Sequence, residues 1–181
     1  MKHLPIWYLG QIPAHICDLA VKEYMDIPAQ DATMGADGAE RSHINRNTTV
    51  RFANINHWFG GLLHAHGINA NKQCGWGFEV TDYEAVQFAH YGESQHYDWH
   101  VDNFVLSGLP VDRKVSVVCL MCEPTEFEGG ELQIRLYSQY TAPLVKGSVI
   151  AFPSILEHRV TPVIKGMRQS ATMWLNGPRF K

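Results

Sequence analysis

At 181 residues, with 45% hydrophobic residues and a formal net charge of −3, the chain is long enough for one domain with a true core. Acids and bases are interspersed and no run of lysine or arginine occurs, so nucleic acid is not an expected partner. No apolar stretch approaches bilayer-spanning length and Met1–Tyr8 is too short and mixed for a signal peptide, so a cytoplasmic location without a membrane partner is expected.

Pro13 suits the first turn of a helix, and Ile16, Leu19, Ala20 and Tyr24 recur after it at helical spacing. Residues 28–47 are rich in Ala, Gly, Asp, Asn and Ser and read as a loop, long enough to act as a lid or substrate-binding segment. Arg41, Arg46 and Arg51 are the nearest thing to a basic cluster and read as solvated surface. After a short extended piece over Thr48–Phe52, a second helix is expected over 56–66. Trp58, Phe59, Leu62 and Leu63 would share its inner side, and Gly67 would stop it. Residues 1–70 therefore read as helical support.

Beyond Gly67 short apolar or alternating runs are separated by turn residues. Strands are expected near 76–81, 84–91, 114–122, 131–137, 148–152, 157–162 and 168–175. Such spacing points to a sandwich or barrel, with two N-terminal helices packed on it. The whole chain, 1–181, reads as a single domain with its β core over 76–176. Cys119 and Cys122 spell CxxC, but within the apolar run Val115–Cys122, where core packing is the simpler reading.

The chemistry-bearing residues lie in this second part. His100-Val101-Asp102 has strand spacing that puts both side chains on one face. His158 can close that face from a distant strand. Two imidazoles and a carboxylate are the ligand set of a facial iron(II) site with open positions. A zinc hydrolase could use the same three side chains, although it has no use for an arginine at a fixed offset. That arginine is Arg168, ten residues after His158. Alternation along the last strand puts Arg168, Ser170, Thr172 and Trp174 on one face and Ala171, Met173 and Leu175 on the other. The first face suits either a pocket lining or a solvent-exposed side.

The segment Tyr91–Asn103, with His100 and Asp102 inside it, resembles the metal-binding segment of prolyl-4-hydroxylase-like 2-oxoglutarate and iron(II)-dependent dioxygenases. It is most similar to the small bacterial and phage branch called PKHD-type hydroxylases. Phe127–Leu132, Lys146–Pro153, His158–Val163 and Gly166–Arg168 extend the resemblance in order, and together it spans Ala85 to Asn176. The resemblance implies a mostly β fold with N-terminal helices on a double-stranded β-helix (jelly-roll, cupin-like) core. It implies that His100, Asp102 and His158 ligate Fe(II) and that Arg168 pairs with the distal carboxylate of 2-oxoglutarate. Tyr91 matches a tyrosine of the co-substrate pocket. Tyr97, Trp99 and Trp174 match aromatic positions beside the metal or substrate. Relatives often carry a tyrosine where this chain has Val118-Cys119-Leu120, so a second co-substrate hydroxyl would come from Thr172 or Ser170. Asp98 reads as a barrel-mouth residue and Glu157 as exposed.

The activity so implied is hydroxylation of an unactivated C–H bond with O2, releasing succinate and CO2, with ascorbate as a candidate additional cofactor. A prolyl residue in a peptide or protein is the expected substrate. A free amino acid or small metabolite is the alternative, and a non-catalytic jelly-roll metal-binding module is the rival outside enzymes.

Overall fold

The computed structural model describes residues 5–32, 45–103 and 110–180. In chain order, β1 (Tyr8–Gln11) precedes α1 (Ala14–Tyr24). Next, β2 (Gln30–Asp31), β3 (Arg46–Asn47) and β4 (Thr49–Phe52) lead to α2 (Trp58–Gln73). There follow β5 (Asp82–Tyr83), β6 (Gln87–Tyr91), β7 (His96–His100) and β8 (Val111–Leu120), a 3-10 turn over Pro124–Glu126, β9 (Phe127–Gly129) and β10 (Leu132–Arg135). The chain closes with β11 (Gln139–Thr141), β12 (Ser148–Pro153), β13 (Glu157–Val160), β14 (Val163–Gly166) and β15 (Arg168–Pro178).

An eight-stranded sheet runs β1-β12-β8-β15-β6-β4-β2, with β5 added beside β15. A five-stranded sheet runs β11-β10-β13-β7-β3, and β14 pairs with β9 separately. The result is a mostly β protein with a sandwich core.

Both faces of the large sheet are buried, and the period of two along each strand sorts its side chains into two cores. Val115, Val117 and Cys119 of β8, with Ala171, Met173 and Leu175 of β15, meet Cys17, Ala20 and Tyr24 of α1 and Phe59, Leu63 and Ala70 of α2. The intervening positions Val118 and Leu120, with Ile150 and Phe152 of β12, face the small sheet and meet Leu132 and Ile134 of β10 and Val160 of β13. Burial on both faces explains why Val115–Cys122 reads as an unbroken apolar run. All four cysteines are free and buried, as the packing reading requires.

The helical expectations need correction in detail. The buried stripe of α1 is Cys17, Ala20 and Tyr24, while Leu19 is 52% exposed. Helix α2 does not stop at Gly67. It continues to Gln73, its buried stripe is Phe59, Leu63, Gly67 and Ala70, and Trp58 and Leu62 lie largely outside it. Gly67 is a close-approach residue: a Cβ there would overlap Leu175 and Val117 of the sheet. Packing the helix axis this near the sheet outweighs the modest helix penalty of one glycine.

The stretch expected as a strand over 76–81 is irregular, because Asn71 of α2 takes over the backbone of Phe78 at both its N–H (3.0 Å) and its carbonyl (2.8 Å). The ends of the expected 28–47 loop form β2 and β3, and residues 33–44, with Arg41, lie outside the described residues. Arg46 and Arg51 are not simply solvated: Arg46 is buried and bonds Gln87, and Arg51 donates to the Ile27 carbonyl. No described helix is long and apolar enough to cross a membrane.

His90 on β6 offers a test of this packing. It is buried edge-on against Tyr24, 5.3 Å between ring centroids, and burial followed by the charge of Arg51 lowers its pKa from 6.5 to about 4. The unfolded chain takes up a proton below pH 6.5 that the folded His90 refuses until about 4. Stability is therefore complete above 6.5 and falls as pH drops through that window, by roughly 2 kcal/mol at pH 5. His90→Phe is expected to flatten this part of the pH dependence of thermal unfolding.

Candidate active site

Two adjacent strands of the small sheet bring the two imidazoles together. His158 on β13 and His100 on β7 are direct register partners, and their ring centroids are 4.1 Å apart. Both project to the inner face, where His158 meets Phe152 edge-on at 4.7 Å. A β-bulge between these strands sets Val160 opposite Tyr97 rather than the residue that even alternation would choose. Tyr97 and His100 consequently share one side, stacked at 3.4 Å and 13°. Arg46 lies over the other face of Tyr97 at 4.4 Å.

Strand β7 ends at His100, so Asp102 is not held by strand alternation. It sits in the bend that follows. Its backbone N–H and that of Asn103 donate to the Ser154 carbonyl at 3.0 and 3.1 Å. Its carboxylate accepts from Ser116 Oγ at 2.7 Å. Oδ2 is 3.3 Å from His158 Nε2, and Oδ1 is 3.7 Å from His100 Nε2.

The tautomers follow from the backbone. His100 Nδ1 is 2.7 Å from the Asp98 carbonyl and His158 Nδ1 is 3.0 Å from the Leu156 carbonyl. A carbonyl only accepts, so each Nδ1 carries its hydrogen, which leaves each Nε2 as the atom available to a metal. Burial, then repulsion from His158, pushes the His100 pKa down to about 3, so that ring is neutral. Its approach to Asp102 is thus a meeting of two electron-pair donors. Burial raises the Asp102 carboxyl, but His158, His100 and Arg113 together outweigh burial and hold it well below the usual range. The donor atoms of His100, Asp102 and His158 all lie within 4.8 Å of one another. Two imidazoles and one ionised carboxylate converging within this distance fit a divalent metal, and specifically the two-histidine, one-carboxylate set for Fe(II).

Arg168 opens β15 and is 2% exposed. Its Nη1 donates to Ser170 Oγ at 2.9 Å, its Nε has no hydrogen-bond partner, and no carboxylate among the described residues pairs with it. Burial lowers its pKa. It ends a small pocket lined otherwise by apolar side chains including Val118, Leu132, Leu144 and Ile150, and by Ser148. Tyr91 is its register partner on β6, with the guanidinium 5.4 Å from the ring centroid.

The remaining expected residues divide. Trp174 is buried on the Arg168 face, opposite Ser116 in the sheet, with Arg113 stacked over it at 3.9 Å and its indole N–H unpartnered. Thr172 shares that face but lies outside the pocket, and Ser170 is the hydroxyl that reaches Arg168. Trp99 is not brought to the site. As the neighbour of His100 in the strand it projects to the opposite, outer face of the small sheet, where Arg135 and Arg159 clamp it at 4.1 and 4.7 Å. Asp98 is exposed and accepts from the Trp99 N–H, and Glu157 pairs with Arg135 on the outside.

Ser116, Ser154 and Gly130 were not singled out for the site by sequence reasoning. Gly130, with φ of +60°, lies so close to Arg168 that a Cβ would stand 2.9 Å from its Cδ. The Gly-Gly pair was a visible signal, though only of a turn. Gly130→Ala is expected to cost about 1–2 kcal/mol of stability from its left-handed backbone. Its Cβ must also push Arg168 aside, and thermal unfolding measures the combined cost.

The sandwich fold and this donor set define an iron-dependent oxygenase class, and the comparisons agree. The family model for the 2OG-Fe(II) oxygenase superfamily matches residues 86–176. The chain belongs to that superfamily: its members are Fe(II)- and 2-oxoglutarate-dependent dioxygenases, oxidoreductases that use O2. Within it the chain is of the PKHD, prolyl-4-hydroxylase-like type. A PKHD-type hydroxylase of Klebsiella pneumoniae (strain 342) is 34% identical over 180 residues, covering 97% of this chain and 77% of the relative. Among solved structures, a Pseudomonas putida prolyl-4-hydroxylase superposes with a TM-score of 0.73 at 18% identity, over 95% of this chain and 93% of that one. A Trichoplax adhaerens prolyl hydroxylase in complex with a hypoxia inducible factor peptide fragment gives 0.68 at 14% identity, over 94% and 83%. At those identities the structural likeness speaks for the fold.

Proposed function

We propose that this chain hydroxylates a prolyl residue in a peptide or protein. His100, Asp102 and His158 hold Fe(II), and Arg168 holds the distal carboxylate of 2-oxoglutarate. The observation that carries the reading is Arg168. A guanidinium buried without an acid is costly, and a bound dicarboxylate relieves that cost. The two sheets form a double-stranded β-helix, and residues 1–181 act as one domain, with support over 1–70 and the jelly-roll core over 76–176.

Iron held by His100, Asp102 and His158 would support the oxidative decarboxylation of 2-oxoglutarate by O2, one oxygen atom of which would enter succinate and the other the C–H bond. The chain's own residues do the rest. The backbone carbonyls of Asp98 and Leu156 keep both Nε2 atoms turned to one point. The apolar walls of the Arg168 pocket exclude water from the co-substrate and strengthen its pairing with the guanidinium. Tyr97, whose phenol burial pushes up to about 12, stays neutral against His100 and with Trp174 flanks the metal. A prolyl residue is supported by the PKHD-type and prolyl-hydroxylase relatives, and a peptide by the complex of the Trichoplax protein.

The test is succinate release against proline-containing peptides and free amino acids, with mass spectrometry of the products. A gain of one oxygen on a peptidyl proline is expected. Turnover confined to a free amino acid would overturn the peptide assignment.

A further inference from the structure

We infer that Ser116 and Ser154 form a two-hydroxyl relay that fixes the rotation of the Asp102 carboxylate, which makes them positioning residues for the metal. The inference rests on the reading of Asp102 as a metal ligand.

The direction of the relay follows from donor counting. An ionised carboxylate only accepts, so the single proton of Ser116 Oγ, 2.7 Å from Asp102 Oδ2, points at Asp102. Ser154 Oγ, 2.9 Å from Ser116 Oγ, must then donate to Ser116. Both serines are fully buried. Ser116 stands inside β8 between Val115 and Val117, where a hydroxyl is costly unless bonded, and this one is bonded twice.

Ser154 does more than end the relay. Its carbonyl accepts from the N–H groups of Asp102 and Asn103, and its own N–H donates to the Lys114 carbonyl at 3.0 Å. One residue thus grips the backbone of the carboxylate segment and, through Ser116, its side chain. His158 follows four residues later, on β13, just past the β12–β13 connection that Ser154 opens. The relay therefore ties the acid to the segment that bears the second imidazole.

The consequence is a choice between oxygens. Engagement of Oδ2 by Ser116 leaves Oδ1 as the less committed donor, so Asp102 fills one coordination position. A carboxylate released from Ser116 can rotate and bind through both oxygens, which consumes a position that co-substrate or O2 requires.

The test uses the full metal-free chain titrated with Co(II) alone, followed by its visible absorption bands, with Ser116→Ala, Ser154→Ala, the double variant and His158→Ala. Ser116→Ala is expected to weaken Co(II) binding by roughly 10–100-fold and to alter the band pattern. Ser154→Ala should do the same to a smaller degree, and the double variant should bind no more weakly than Ser116→Ala, because the relay is already cut. Wild-type affinity and bands in Ser116→Ala, or losses that simply add in the double variant, would overturn the relay. If Ser116→Ala fails to fold, unchanged Co(II) affinity in Ser154→Ala overturns it instead. Full Co(II) binding by His158→Ala would sink the ligand reading itself, an outcome separate from failure of the relay alone.

Discussion

Replacing His158 by alanine is expected to abolish Fe(II) binding and 2-oxoglutarate turnover together. His158 is buried, its Nδ1 hydrogen is committed to the Leu156 carbonyl, and its Nε2 faces Asp102 at 3.3 Å. No described His, Cys, Asp or Glu outside the His100, Asp102, His158 group is positioned to replace it. Loss of a group that merely supports a ligand costs roughly 10–100-fold in metal affinity. Loss of one ligand in three should exceed that, so succinate release should fall to background at any practical Fe(II) concentration. Equilibrium dialysis and the succinate assay check the two halves separately. Retained turnover in His158→Ala would remove this residue from the centre.

Replacing Arg168 by methionine should separate binding from stability. In an ordinary buried ion pair, removing the arginine strands a carboxylate and destabilises the protein. Arg168 has no such partner among the described residues, and its Nε is unsatisfied. Methionine has a similar reach and no charge to desolvate, so the 2-oxoglutarate-free variant should melt no lower than the wild type. Co-substrate binding should instead suffer, because truncating one side of a buried, hydrogen-bonded charge pair costs about 2–5 kcal/mol. That corresponds to a KM for 2-oxoglutarate raised by roughly 30- to 4,000-fold. Fe(II) binding should be retained. A lower melting temperature with an unchanged KM would make Arg168 a structural residue.

Much of the site was legible because strands transmit position through parity. The last strand placed Arg168, Ser170 and Trp174 on one face and Ala171, Met173 and Leu175 on the other, and the two cores divide along that line. Parity failed where the backbone breaks period. The bulge in β7 joins Tyr97 to His100, which alternation would separate, and composition does not announce a bulge. The end of β7 at His100 likewise shifts the task of aiming Asp102 from alternation to Ser154 and Ser116, which are distant in sequence. Gly67 shows the same limit for helices. A glycine reads as a stop until a sheet is seen lying against it.

The sequence by itself determined the donor types, their order along the chain and the mostly β class, because ligand chemistry and apolar period are local properties. Only the tertiary structure decided which aromatic stacks on His100, which hydroxyl bonds Arg168 and how the carboxylate is oriented. Each of those depends on contacts between segments far apart in the chain, and a contact of that kind leaves no period in either segment.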